Sequence, residues 1–447
     1  MPDLSTIIKA YDVRGIVPDQ LDEQVARAIG AAFARVTGAS TVVTAHDMRE
    51  SSVPLAAAFA EGVTSQGAKV IDAGLGSTDM LYFASGSLDL PGAMFTASHN
   101  PAKYNGIKMC RAGASPIGQD TGLREIRDLA EQGLEPTGTP GTVEHRELLP
   151  AYAEYLHGLV DLSGIRPLTV VVDAGNGMAG YTAPAVLGPP LTVIPLYFEL
   201  DGNFPNHEAN PLEPANLRDL QAKVVETGAD LGLAFDGDAD RCFVVDERGA
   251  AVSPSAITAL VAARILTQHP GATIIHNLIT SHAVPEIVRE RGGVPVRTRV
   301  GHSFIKQQMA ETDAAFGGEH SAHYYFRDFW KADTGMLAAM HVLAELGAAD
   351  VPLSRLSAEY SRYAASGEIN STVADVPGRT AAVEEAYGKR DGVILDHLDG
   401  LTVQLPDGGW FNLRPSNTEP LLRLNVEAPD EAAMATLRDA VLALVRA

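Results

Sequence analysis

The sequence predicts an α/β protein: three strand–loop–helix units of related topology, closed by a smaller α+β domain. Three observations predict it. Short β-branched runs alternate with helical stretches, the pattern of an α/β layer with a largely parallel sheet. The same unit opens three successive thirds of the chain, at Thr41-Val42-Val43-Thr44, Thr169-Val170-Val171-Val172-Asp173 and Thr273-Ile274-Ile275. The final stretch instead sets Leu422, Leu424, Val426 and Ala428 against Arg423, Asn425 and Glu427, a strand with one apolar face.

In order, Thr6-Ile7-Ile8 leads into the polar turn Lys9-Ala10-Tyr11-Asp12-Val13-Arg14-Gly15, where Arg14 can present a guanidinium either to a cleft or to solvent. From Asp22, residues Val25, Ile29, Ala32 and Val36 recur at helical spacing, and Gly38 ends that helix. After the first strand, Ser52 and Pro54 start a second helix with Leu55, Phe59 and Val63 on one face. Ala93-Met94-Phe95 reads as a strand end running into Thr96-Ala97-Ser98-His99-Asn100-Pro101, with turn formers continuing through Asn105-Gly106. Ser98 is therefore expected at a loop tip anchored by a buried strand, a place suited to chemistry. On an extended segment neighbouring side chains point to opposite faces, so His99 is not expected to act as base for Ser98. Taken alone, the hydroxyl reads first as a turn-stabilising group before Asn-Pro, and as a catalytic one only with what else the chain carries.

The second unit passes through Gly175-Asn176-Gly177 into an Ala-rich helix. The third passes through His276-Asn277 and Ser281 into a helix carrying Val284 and Val288. The closing helix puts Met434, Leu437, Val441 and Leu444 on one face. Turn-rich stretches at 136–142, 247–249 and 364–367 mark candidate boundaries, giving domains 1–149, 150–249, 250–365 and 366–447.

With 447 residues, 46% of them hydrophobic, the chain can build several cores. A net charge of −22 disfavours binding to a nucleic-acid backbone, although a local Arg/Lys cluster can still take a small anion. The two cysteines, Cys110 and Cys242, form no disulfide framework, read as small core residues and fit a reducing cytoplasm. The first ten residues carry Asp3 and Lys9 and lack the apolar core of a secretory signal. No apolar run approaches the ~18 residues of a membrane span.

Three further stretches carry chemistry. Asp236-Gly237-Asp238-Ala239-Asp240-Arg241 places carboxylates at alternate positions, able to converge on a hard cation such as Mg²⁺. An EF-hand is excluded, because Arg241 stands where its Gly is required and the flanks are strand-like. Gly317-Gly318-Glu319-His320-Ser321-Ala322-His323 offers donors and acceptors suited to sugar hydroxyls, or forms an ordinary polar loop. Arg414-Pro415-Ser416-Asn417-Thr418-Glu419-Pro420 combines a guanidinium, hydroxyls and free backbone N–H groups, the makings of an anion nest or of a plain connecting turn.

With Tyr11–Gly15 and Asn105-Gly106-Ile107-Lys108, these stretches resemble the α-D-phosphohexomutase family, in its bacterial phosphomannomutase/phosphoglucomutase branch, over essentially the whole chain. The resemblance implies four domains around a central cleft, three with mixed sheets, each contributing one loop. It implies interconversion of hexose 6-phosphate and hexose 1-phosphate, of mannose and/or glucose, through a phosphoserine at Ser98 and a hexose 1,6-bisphosphate intermediate that also serves as activator. Asp236, Asp238 and Asp240 would bind Mg²⁺ together with the Ser98 phosphate, and Arg241 would lie beside the transferring group. Glu319, Ser321 and His323 would recognise the sugar ring. Arg414, Ser416, Asn417 and Thr418 would hold the idle phosphate, with Tyr11 and Arg423 joining the substrate-binding set. Arg14, Lys108 and His302 would stand near the reacting hydroxyl as acid/base candidates. The implied partners are small hexose phosphates, with no nucleic acid or membrane, for a cytoplasmic monomer or weak homodimer.

Asn417 matches the mannose/glucose branch, where phosphoglucosamine mutases typically have Gly. His320 and Ala322 depart from the usual sugar-loop pattern, Ala322 replacing a Gly. A phosphoglucosamine mutase, a metal-dependent sugar-phosphate phosphatase and a non-catalytic sugar-phosphate sensor are the alternatives.

Overall fold

The computed structural model describes residues 3–8, 11–416 and 421–447. Four sheets succeed one another along the chain. In the first, Thr41–His46 lies between Gly92–Phe95 and Lys69–Leu75 with all three parallel, and Lys69–Leu75 pairs in parallel with Val143–His145. Tyr104–Arg111 then runs antiparallel to Gly92–Phe95 and to Val13–Ile16. The second sheet sets Leu231–Phe235 parallel to Leu168–Asp173 but antiparallel to Cys242–Asp246. The third repeats this with Phe316–Gly318 between parallel Thr273–Asn277 and antiparallel Tyr324–Phe326. The fourth is antiparallel throughout, in the order Ala364–Thr372, Leu421–Ala428, Trp410–Pro415, Leu401–Gln404, Ile394–Asp396. The sheets are thus mixed rather than largely parallel, because each of the first three ends its parallel run in an antiparallel hairpin.

Local signals account for the elements. Asp22 caps helix Glu23–Thr37 by accepting from Val25 N at 2.8 Å, and Gly38, at φ 63°, ends it in the left-handed conformation that glycine adopts freely. Helix Ser52–Ser65 buries Leu55, Phe59 and Val63, as the spacing predicts. Helices Ala179–Val186 and Ala283–Glu290 follow the second and third parallel strands. Strand Leu421–Ala428 buries Leu422, Leu424 and Val426 against closing helix Glu431–Val445. Both cysteines are buried and free.

One expectation is corrected. Asn105-Gly106 is not a turn but the start of strand Tyr104–Arg111. Gly is needed there for close packing: a Cβ at Gly106 would lie 2.3 Å from the Val13 carbonyl oxygen and 2.8 Å from that of Thr96. The turn at 247–249 likewise lies inside the second sheet, joining Cys242–Asp246 to its neighbour Ala251–Val252.

The second and third sheets share one continuous apolar core, which Met80 and Phe83 of the first unit also enter. The fourth sheet has its own core, whose buried residues run from Val373 to Val445, with Ala364 and Ile369 packed against it. Among the described residues, no helix is long and apolar enough to cross a membrane.

Candidate active site

Each motif occupies the same place in its sheet: the loop joining an antiparallel strand pair. Residues 96–103 link Gly92–Phe95 to Tyr104–Arg111, and 236–241 link Leu231–Phe235 to Cys242–Asp246. Residues 319–323 link Phe316–Gly318 to Tyr324–Phe326, and 416–420 link Trp410–Pro415 to Leu421–Ala428. Buried strand ends hold the loops, so polar side chains are presented from rigid bases.

Ser98 and the acidic turn are in contact. Ser98 Oγ donates to Asp236 Oδ2 at 2.8 Å, and its backbone N–H donates to Thr96 Oγ1 at 2.9 Å. Its φ is +50°, a left-handed conformation that costs a non-glycine residue about 1–3 kcal/mol and persists only where surroundings enforce it. Gly237 supplies part of that enforcement, because a Cβ there would sit 2.4 Å from the Ser98 carbonyl oxygen. The left-handed backbone corrects the expected opposite-faces geometry of His99, though not the expectation that it is no base for Ser98. Its Nδ1 reaches Ser98 Oγ at 3.1 Å, since the segment is not extended. Arg241 Nη2 donates to the same Nδ1 at 2.6 Å, and burial followed by Arg241 lowers the His99 pKa to about 3. His99 is therefore a neutral acceptor.

Asp236, Asp238 and Asp240 are buried and offer oxygens within 4.8 Å of one another. Asp236 accepts from Arg241 Nε at 2.9 Å and from Arg241 N at 3.1 Å. Asp238 Oδ2 accepts from Thr78 Oγ1 at 2.6 Å, and Lys108 Nζ donates to both Asp238 Oδ2 and Asp240 Oδ2 at 2.6 Å. Burial opposes the charge on Lys108, yet Asp238 and Asp240 hold its pKa well above the ordinary value, so it is an ammonium. Burial drives Asp236 upward against the pull of Arg241, with repulsion from Asp240 and Asp238 adding to it. The Oδ1 atoms of Asp238 and Asp240 are buried without a hydrogen-bond partner. Orphaned carboxylate oxygens in a three-carboxylate turn are the hard donor set a divalent cation requires, so these residues fit Mg²⁺.

The sugar-type loop meets the acidic turn directly, through a β-bridge between Arg241 and His323. Ser321 Oγ lies 2.9 Å from His323 Nδ1. Buried Glu319 accepts from Tyr325 OH at 2.7 Å and, more weakly, from Asn277 Nδ2 and Gly301 N at 3.3 Å. Ala322 adopts φ +65°, the conformation for which Gly is the easier residue. His302 opens helix His302–Thr312, its ring centroid 4.1 Å from that of His323 and its Nδ1 2.7 Å from Tyr325 OH. Burial opposes charge on His302, but Asp333 raises its pKa overall. Tyr11, half exposed, brings its hydroxyl close to Gly301, and Arg14 donates to Asn100 Oδ1 at 2.9 Å and to Asp12 Oδ2 at 2.7 Å.

In the fourth sheet Arg414 and Arg423 are register partners, leaning on Glu368 at 3.7 Å and 3.5 Å respectively. The Nε atoms of both are buried with no hydrogen-bond partner among the described residues. Ser416 N donates to Leu421 O at 2.8 Å, while Asn417 and Thr418 lie outside the described residues. The fourth sheet joins the third where Val300 N donates to Asp399 Oδ2 at 3.2 Å and His282 stacks on Trp410 at 4.9 Å.

The sequence gives no local signal for Thr78, Tyr325 or Asn277, which support the acidic turn and Glu319. The weak signal for another, Arg49, is an Asp-x-Arg in the loop after the first parallel strand.

Comparison with known proteins agrees with this architecture. Family models for phosphoglucomutase/phosphomannomutase match in four consecutive parts: α/β/α domain I over 5–136, domain II over 150–249, domain III over 253–363 and the C-terminal domain over 368–444. A protein described as phosphohexose mutases from Xanthomonas campestris is 43% identical, with 96% of each chain covered. A phosphomannomutase from Salmonella typhimurium is 40% identical over 98% of each. A solved phosphoglucomutase/phosphomannomutase family protein from Burkholderia thailandensis superposes with a TM-score of 0.89 at 35% identity, covering 99% of this chain and 97% of that one. The chain belongs to the phosphoglucomutase/phosphomannomutase family. Its activity is that of a phosphomannomutase/phosphohexose mutase, an isomerase of hexose phosphates.

Proposed function

We propose that Ser98 carries the phosphoryl group, passing it to a hexose monophosphate of mannose and/or glucose and recovering it from the other end of the hexose 1,6-bisphosphate so formed. The observation that carries this is the 2.8 Å contact between Ser98 Oγ and Asp236 in a water-poor turn of converging carboxylates and cations. In the forward step the phosphorus–oxygen bond to Ser98 breaks as one forms to the sugar oxygen. The proton of the sugar hydroxyl is released, and one proton returns to Ser98 Oγ. Arg241, locked against Asp236, presents its guanidinium to the transferring oxygens. Asp236, Asp238 and Asp240 would hold Mg²⁺, which supplies Lewis-acid withdrawal of charge from those oxygens.

Arg14, Lys108 and His302 are the acid/base candidates. Lys108 is engaged by two carboxylates as a cation, whereas His302 is the member of the three whose ordinary range spans neutral pH. Glu319, Ser321 and His323 read the ring hydroxyls. Arg414, Arg423 and Ser416, with Asn417 and Thr418, grip the idle phosphate, and Tyr11 closes the cleft from the first sheet. Because that grip addresses the phosphate, it accepts the bisphosphate in either orientation. The chain is assigned to the cytoplasm as a monomer or weak homodimer. The domains are 1–149, 150–249, 250–365 and 366–447, each centred on one sheet, with Ala251–Val252 reaching back to the second.

Mass spectrometry after incubation with hexose 1,6-bisphosphate tests the assignment. A phosphoryl adduct on the Ser98 peptide, absent in Ser98→Ala together with turnover, is expected; wild-type turnover by Ser98→Ala overturns it. Net release of inorganic phosphate would identify a phosphatase instead. Parallel rates on mannose, glucose and glucosamine phosphates decide the sugar.

A further inference from the structure

Beneath the Ser98 loop lies a guanidinium that touches no substrate-facing group yet uses every donor it has. Arg49 is 2% exposed. Its Nη2 donates to the carbonyl oxygens of Ser98 at 2.8 Å and Asn100 at 2.7 Å. Its Nη1 donates to those of Pro101 at 3.0 Å and Tyr104 at 3.1 Å. Its Nε donates to Asp47 Oδ2 at 3.2 Å, which completes the five N–H groups of a guanidinium.

The anchor of this cation is itself fixed. Asp47, also buried, accepts from Ser52 Oγ at 2.6 Å and from Arg49 N at 3.0 Å. Ser52 Oγ in turn accepts from Asn105 Nδ2 at 2.9 Å, and Asn105 is the second residue of the strand that leaves the loop. The network therefore closes on itself from the entry of the helix to the exit of the loop. The second sheet's region seals it: the Phe204 ring covers the guanidinium at 5.1 Å, and Gly202 packs against Arg49, where a Cβ would come within 2.8 Å of its Cα.

We infer that Arg49 is a positioning residue for phosphoryl transfer, clamping four carbonyls of the Ser98 loop so that Ser98 keeps the left-handed backbone that aims Oγ at Asp236. The inference rests on the assignment of Ser98 as phosphoryl carrier. It follows from what the loop lacks otherwise. Regular pairing stops at Phe95 and resumes at Tyr104; between them Asn100 N, Tyr104 N and Val17 N hold the carbonyls of Ala97, Pro101 and Lys103, but among the described residues no backbone donor reaches those of Ser98 and Asn100. A lysine cannot replace the fork, because a point charge on a flexible stem cannot address four fixed acceptors at once.

Arg49→Lys tests this, with rates normalised to Ser98 phosphate content measured by intact mass. The expected result is a fall in kcat of about 100-fold, the scale of an ångström of misplacement, with KM for the hexose phosphate within about twofold, because Arg49 touches none of the groups assigned to its recognition and Glu319, His323, Arg414 and Arg423 lie on other sheets. A purely structural arginine would lower melting temperature and the phosphorylated fraction but leave kcat per phosphorylated site unchanged, and that outcome overturns the inference. If Arg49→Lys does not fold, Asp47→Asn serves, loosening the Nε anchor; a drop in normalised kcat of about tenfold is expected, and a wild-type value overturns the inference. Absence of interconversion or of Ser98 phosphate in the wild-type protein would instead refute the assignment of Ser98.

Discussion

Ser98 Oγ and Asp236 Oδ2 stand 2.8 Å apart although 138 positions separate them in sequence. Two different sheets meet at that contact, and Gly237 makes it possible by letting its backbone lie against the Ser98 carbonyl. The geometry of one hydroxyl thus depends on the fit between two hairpins, and the consequences can be measured.

Gly237→Ala forces the hairpins apart, because the new methyl would sit 2.4 Å from Ser98 O. Overpacking of this kind costs about 1–3 kcal/mol. The expected outcome is a lower melting temperature and a kcat reduced by about 100-fold; thermal unfolding and steady-state assays check both.

Thr78 touches the acidic turn only through Asp238, to which its hydroxyl donates at 2.6 Å. Thr78→Val should therefore weaken Mg²⁺ activation by roughly 10–100-fold while leaving kcat at saturating Mg²⁺ near wild type. A Mg²⁺ titration of activity after chelation reads this directly, and chelation alone should abolish wild-type turnover reversibly.

Asp79 sits where three parts of the chain meet, accepting from Ser77 Oγ, from Tyr152 OH at 2.7 Å and from Thr334 Oγ1 at 2.6 Å. Burial raises its pKa from 3.8 to about 6, against the effect of those donors. A carboxyl whose pKa rises on folding binds its proton more tightly when folded. The stability it contributes is present below pH 4 and disappears as pH climbs to about 6. Relative to Asp79→Asn, the wild type should lose up to about 3 kcal/mol across that window and nothing further above it, as measured by urea unfolding at a series of pH values.

Arg414 leans on Glu368 and Asp399 at 3.7 Å and 3.8 Å, longer than direct hydrogen bonds, and its Nε has no partner among the described residues. If Arg414 grips the idle phosphate as proposed, its loss is felt in binding. Arg414→Gln should raise KM for hexose phosphate by about 10–100-fold, the value of a charged hydrogen bond, with a smaller change in kcat. Steady-state kinetics on glucose 1-phosphate and mannose 1-phosphate will show it.

The acidic turn was legible because its chemistry is local: three carboxylates at alternate positions between apolar runs need no tertiary knowledge. The strands flanking 236–241 and the helices after Asp22 and Ser52 were legible for the same reason, through period and caps. The side on which His99 lies is not legible, because the backbone turn at Ser98 is imposed from outside the segment. Asn105-Gly106 was misread because the glycine serves strand packing, against Val13 and Thr96, rather than reversal. Arg49 carried almost no signal, since four of its five acceptors are backbone oxygens beyond position 97, which any residue types could supply.

The recurrence of one hairpin position in all four sheets has an evolutionary meaning. The tips do not vary independently, because Arg241 bridges His323 and Gly237 lies against Ser98, so a change at one tip constrains what its neighbour can accept.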